Sequence, residues 1–197
     1  MAQKNDNSPQ DIIYSEYVIE FITVANEFCK LVENVNYIAR ETFIENAYKI
    51  LILLQLKALM LPKIEPDADY ETESFVSEQD WYLVDTGVSN KLGSLELFSE
   101  LREPANPESP FEISISECIA DTYQDLKDFI NLYQVGIAEA IFLGLNECKN
   151  NYEQIWGPRI MLVIREFHNL LYGDTDIKDE TGIDDSLPDE TIEELFN

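Results

Sequence analysis

A chain of 197 residues suits one domain, or one domain with a tail, and is long enough to bury a core without disulfide or metal staples. Its 13 Lys and Arg stand against 39 Asp and Glu, a net charge of −26, so it would repel nucleic acid and anionic membranes rather than bind them. Seven glycines are too few for glycine-rich phosphate loops or hairpin-rich sheets, and Cys29, Cys118 and Cys148 form no CxxC pair, which leaves neither a zinc knuckle nor a redox motif.

The opening MAQKNDNSPQ lacks the apolar run of a signal peptide, and residues 1–14 read as a polar arm. From Tyr14, apolar residues recur at three- and four-residue steps through Val18, Phe21, Ala25, Phe28 and Val32, an amphipathic helix with Ser15 at its N-cap. A second helix runs from about Glu41 to Leu61, where Pro62 stops it. Its latter half, KILILLQLKALML, is apolar almost all round, as expected of a helix surrounded by others, and this places it at the centre. The stretch Ile50–Leu61 is interrupted by Gln55 and Lys57 and falls short of the ~20 residues a membrane span needs. Together with the missing signal peptide, it points to a cytoplasmic protein.

Residues 62–76 form an acidic, proline-bearing connection. Ser77 with Asp80 resembles a capping box opening a third helix to about Leu92, with Gly93 at its C-terminal left-handed position. A short LELFSEL element and the proline-rich REPANPESP follow, and no segment reads as a convincing strand. A long helix starts at Ser114 or Ser116 and reaches about Gln134, where Gly136 ends it. A fifth, from about Ile137 to Ile155, turns back; Trp156-Gly157-Pro158 is a break, and Pro158 starts a sixth that Gly173 caps. The expected fold is thus all-α: one domain of about six helices over residues 15–173, an up-and-down bundle or orthogonal array. Residues 174–197 form an acidic tail in which Leu187, Ile192, Leu195 and Phe196 recur at the spacing of a short amphipathic helix.

Four carboxylates, Glu117, Asp121, Asp125 and Asp128, are spaced four, four and three apart and share one stripe of the long helix. Stacked carboxylates are the oxygen ligands that Mg²⁺ or Ca²⁺ takes. The stripe lies opposite Ile119, Leu126 and Ile130, however, so a solvated helix face is the simpler expectation. His168 is the one histidine, which excludes di-iron bundles, zincins and histidine-aspartate phosphohydrolases. It shares a stripe with Met161, Ile164 and Leu171, the pattern of a half-buried, hydrogen-bonded histidine. Helical nucleotide pyrophosphohydrolases pair E-x-x-E with E-x-x-D; Asp125-x-x-Asp128 with Glu41 and Glu45 matches that poorly. The W-G-P stretch, with Arg159, Arg165 and Glu166 nearby, suggests a pocket involving Trp156, Arg165 and His168, against the plainer role of a tryptophan filling a corner between helices.

The stretches ADTYQDLKDFINLYQ, ECKNNYEQIWG and EFHNLLYG, with the earlier EFITVANEFCKLVEN and KILILLQLKALMLP, resemble the family called domain of unknown function 5063, small proteins mostly of Bacteroides-type bacteria. The resemblance covers about residues 15–173 and omits the tail. It implies a cytoplasmic helical domain and no catalytic residue. The expected function is a non-enzymatic interaction or adaptor protein, engaging a protein partner through a helical groove or the 187–196 segment, with no cofactor and neither nucleic acid nor membrane as partner. The alternative is a divalent-metal-dependent hydrolase using the carboxylate stripe.

Overall fold

The computed structural model describes residues 8–64, 74–100 and 111–178, and these form an all-α domain carrying one small antiparallel hairpin. The acidic connection over 65–73, the proline-rich 101–110 and the segment 187–196 lie outside the described residues.

Helix α1 (Pro9–Ile13) lies within the stretch read as a polar arm. Ser8 and Asp11 form its capping box, and its Ile13 is fully buried. Helix α2 (Glu16–Glu33) follows from Ser15, and α3 (Arg40–Met60) ends just before Pro62. The last turn of α3 is closed from another helix, because the Lys149 ammonium donates to the Ala58 carbonyl at 2.7 Å. Helix α4 (Glu78–Leu92) opens on the Ser77–Asp80 capping box and ends at Gly93, whose φ is 58°.

Strand β1 (Leu97–Glu100) pairs with β2 (Phe111–Ser114), from Leu97 opposite Ser114 to Glu100 opposite Phe111. This corrects the expectation of no strand. Four residues are too short for alternation to stand out from chance, and the pairing partner is distant in sequence. Ser114 then caps α5 (Ile115–Val135), accepting the Glu117 amide through its hydroxyl at 3.0 Å, and Gly136 at φ 79° ends that helix.

Helix α6 (Ala138–Asn151) runs into α7 (Gly157–Tyr172) through a π turn at Tyr152–Trp156, so the expected break at W-G-P is not one. A π turn inserts one residue into the helical ladder, and Pro158, which lacks an N–H, sits in the first turn beyond it, where a missing donor costs nothing. Gly157 is required there: a Cβ would stand 2.2 Å from the Tyr152 carbonyl oxygen.

The central helix is α5, not α3. It packs against α2, α4, α6 and α7, whereas α3 packs chiefly on α2 and α7. Helices α3 and α7 run antiparallel: Gln55 Nε2 donates to the Gly157 carbonyl at 2.8 Å near one end, and Tyr48 meets His168 at the other. One contiguous core results, in which Phe21, Phe28, Phe43, Phe129, Trp156 and Phe167 are fully or almost fully buried.

Candidate functional site

The carboxylate stripe of α5 is not a solvated face. Asp121 accepts from the Trp81 indole Nε1 at 3.0 Å and pairs with the Arg159 guanidinium. Asp125 accepts from Asn151 Nδ2 at 3.0 Å. Asp128 accepts from the backbone amides of Phe75 and Val76, each at 2.7 Å, and from the Ser74 hydroxyl at 2.9 Å. Only Glu117, of the four, is exposed. Spacing put these groups correctly on one stripe, but it could not show that α4, α6, α7 and the lead-in to α4 would converge on that stripe. The rest of α5 fastens its neighbours in the same way: the Tyr123 hydroxyl and the Lys127 ammonium both donate to Glu33 of α2, at 2.9 and 2.7 Å.

Beside the stripe, α5 and α6 enclose a cleft of about 190 Å³, lined by Gln124, Asp125, Asp128, Glu147, Cys148 and Asn151 among others. Glu147 on α6 thus lines the same cleft as Asp125. Among the described residues, no three His, Cys, Asp or Glu are grouped so as to hold a metal ion. Burial lifts the Asp125 carboxyl from the ordinary 3.8 to about 6, assisted by the nearby charges of Glu147 and Asp128 and opposed by the Asn151 hydrogen bond. Between about pH 4 and pH 6 the folded chain keeps a proton the unfolded chain has lost, so stability at this site falls as pH rises through that window. Asp125→Asn cannot ionise and retains an acceptor for Asn151. In urea unfolding it is expected to be more stable than wild type at pH 8 by roughly 1–2 kcal/mol, allowing for partial solvent screening, with the difference vanishing below pH 4. A variant no more stable at pH 8 than at pH 4, relative to wild type, would place the charge in solvent.

The trio Trp156, Arg165 and His168 does not line one pocket. Trp156 is fully buried against the Tyr152 ring, centroids 4.8 Å apart, and fills the corner where α6 meets α7. The Arg165 guanidinium lies 5.9 Å from the Phe98 ring of β1. His168 is exposed rather than half-buried, because the core stripe of α7 is Ile160, Val163, Phe167 and Leu170, one step out of phase with the expected one. It is hydrogen-bonded as expected, sharing a 2.9 Å bond through Nδ1 with the Tyr48 hydroxyl, and the Tyr172 ring packs beside it at 4.8 Å. All three thiols are buried. Burial pushes Cys118 up to about 11 and holds Cys29 and Cys148 well above the usual value as well, the reverse of what a nucleophile requires.

The unusual surface lies on α3. Phe43, Ile44, Ala47, Leu51, Leu54 and Ala58 face inward, but Ile52, Leu56, Leu59 and Met60 are 40–65% exposed. Their spacing sets them in one arc of about 100° over the last two and a half turns, and Tyr48 continues it toward the start of the helix. Tyr48 joins this arc to the exposed side of α7, where Met161, His168 and Tyr172 stand. An apolar stripe of this length on a surface helix is uncommon unless something covers it. The all-round apolar character of KILILLQLKALML was visible in the sequence. Periodicity alone cannot distinguish a helix with neighbours on every side from one with a bare apolar face.

The chain matches the family described as Domain of unknown function (DUF5063) over residues 12–173, from within α1 to the residue that ends α7. No curated protein matches it. Among solved structures it is similar to the crystal structure of protein BF1032 from Bacteroides fragilis, at 34% identity and a TM-score of 0.74, over 83% of this chain and 98% of that one.

Proposed function

We propose that this chain, which belongs to the DUF5063 family, is a non-enzymatic cytoplasmic interaction protein whose working surface is the apolar face of α3 and the adjoining side of α7. The observation that carries this reading is the exposed row Ile52, Leu56, Leu59 and Met60 on a helix whose opposite side is fully buried. Anchors at i, i+4 and i+7 are what an amphipathic helix of a protein partner uses when it packs along another helix. A net charge of −26 disfavours nucleic acid and anionic lipid as that partner. No helix among the described residues is long and apolar enough to cross a membrane.

The alternative, a divalent-metal hydrolase built on the stripe, has weaker support. Asp121 and Asp128 spend oxygens on an indole, a guanidinium, a hydroxyl and two backbone amides, so recruiting them to a cation would dismantle the packing of α4 and α7 on α5. A photo-crosslinking side chain placed at Leu59 tests the preferred reading in the native cell, with the equally exposed Leu83 of α4 as the control position. A discrete adduct from position 59 and none from 83 is expected. Equal labelling from both, or none from 59, would remove α3 as the working surface.

A further inference from the structure

We propose that the occupant of the α3 face is the chain's own segment Leu187–Phe196, held there in cis, so that a partner must displace it. The proposal rests on the reading of α3 as a docking face and names what regulates it. After α7 the backbone returns toward the start of α3: Ile177 is buried, and the Arg40 guanidinium donates to the Lys178 carbonyl at 3.3 Å. Arg40 is the first residue of α3, so the described chain ends beside the start of the helix that bears the stripe.

At 1.5 Å per residue the stripe begins about 12 Å beyond Arg40, at Tyr48, and extends about 18 Å further to Met60. Residues 179–186 reach up to ~27 Å when extended, more than enough to arrive at Tyr48. A ten-residue helix spans about 15 Å, close to the length of the stripe. On a helical projection Leu187, Ile192, Leu195 and Phe196 fall on one side, and Asp189, Glu190, Glu193 and Glu194 on the other, so an apolar side is available for α3 while the carboxylates remain in water. A helix this short is marginal alone and needs a surface to pack on. Tethering gives the segment an effective concentration on the order of millimolar, so weak intrinsic affinity suffices to keep the face covered.

Paramagnetic relaxation on the full chain tests this. A nitroxide attached through Glu193→Cys lies on the acidic side of the segment, and the native thiols are buried. Most of the signal intensity of the Ile52, Leu56 and Met60 methyls should be lost, with the loss unchanged on dilution. Adding Ile192→Asp and Phe196→Asp to the labelled chain should restore it. Full intensity at all three methyls would overturn the proposal. So would broadening that disappears on dilution, or that arises between labelled and unlabelled chains, since the occupant would then be a second copy. A positive crosslink at position 59 with no broadening would leave α3 a docking face for a foreign partner and sink only the cis occupant. Broadening without a crosslink would leave a tail that covers the face with no partner to displace it, and would overturn the regulatory half of the proposal.

Discussion

Leu54→Asp is expected to leave the domain unfolded at room temperature, whereas Leu56→Asp, two residues along the same helix, is expected to melt as the wild type does. Leu54 is fully buried and Leu56 is half exposed. Emptying a buried leucine site alone costs ~2–5 kcal/mol. A carboxylate left there without a partner adds several more, against a total stability of ~5–15 kcal/mol for a typical domain. Leu56 lies outside the domain's own core, and the tethered segment proposed to cover it is held too weakly for its release to cost more than about 0.5 kcal/mol, the range of substitutions away from the core. The pair therefore measures the phase of α3 directly by circular dichroism in urea. Equal destabilisation by both would show that the outer face is covered by something essential to folding. Tolerance of Leu54→Asp would show that the helix is rotated.

The second large effect is expected at the junction of α6 and α7. Gly157→Ala places a methyl 2.2 Å from the Tyr152 carbonyl oxygen and 2.9 Å from the Tyr152 ring. Backbone cannot yield as the tip of a flexible side chain can, so the π turn must open or α7 must shift. The same residue's carbonyl accepts the buried Gln55 amide, so movement here also breaks a contact between α3 and α7. Overpacking of this kind costs about 3 kcal/mol, which for a domain of this size lowers Tm by roughly 6–12 °C. The substitution would otherwise favour helix by ~1 kcal/mol, so the sign of the result is informative. A Tm at or above that of the wild type would mean that Tyr152–Trp156 is an ordinary α-helical turn.

Most helix boundaries were legible in the sequence because they are set locally. Ser77 with Asp80, Pro62 and Gly136 each act on the nearest turn, and each does in the structure what its chemistry requires. The hairpin was not legible, because β1 and β2 derive their stability from each other across a connection and neither has length enough to declare itself. The carboxylate stripe is legible as a stripe, but its environment is not. Asp121, Asp125 and Asp128 look solvated when only α5 is considered, and they prove to be acceptors for Trp81, Asn151 and the 74–76 backbone, groups 26 to 54 residues away. The same limit reversed the order of α3 and α5: greasiness suggested the centre, and the centre went to the helix with polar groups enough to fasten four neighbours. His168 lies one helical step from its expected phase, since Met161, Ile164 and Leu171 form as regular an apolar stripe in the sequence as Ile160, Val163 and Phe167.

The most direct test of docking through α3 is quantitative affinity capture from the native cell with three full-length baits: wild type, Ile52→Asp with Leu56→Asp, and Asp125→Asn with Asp128→Asn. Circular dichroism establishes beforehand that each bait is folded. If the apolar face is the working surface, a protein recovered by wild type is recovered equally by the carboxylate variant and falls at least ~10-fold with the face variant, a loss of about 1.4 kcal/mol or more. Undiminished recovery by the face variant, with loss confined to the carboxylate variant, would contradict docking through α3 and return the function to the stripe on α5.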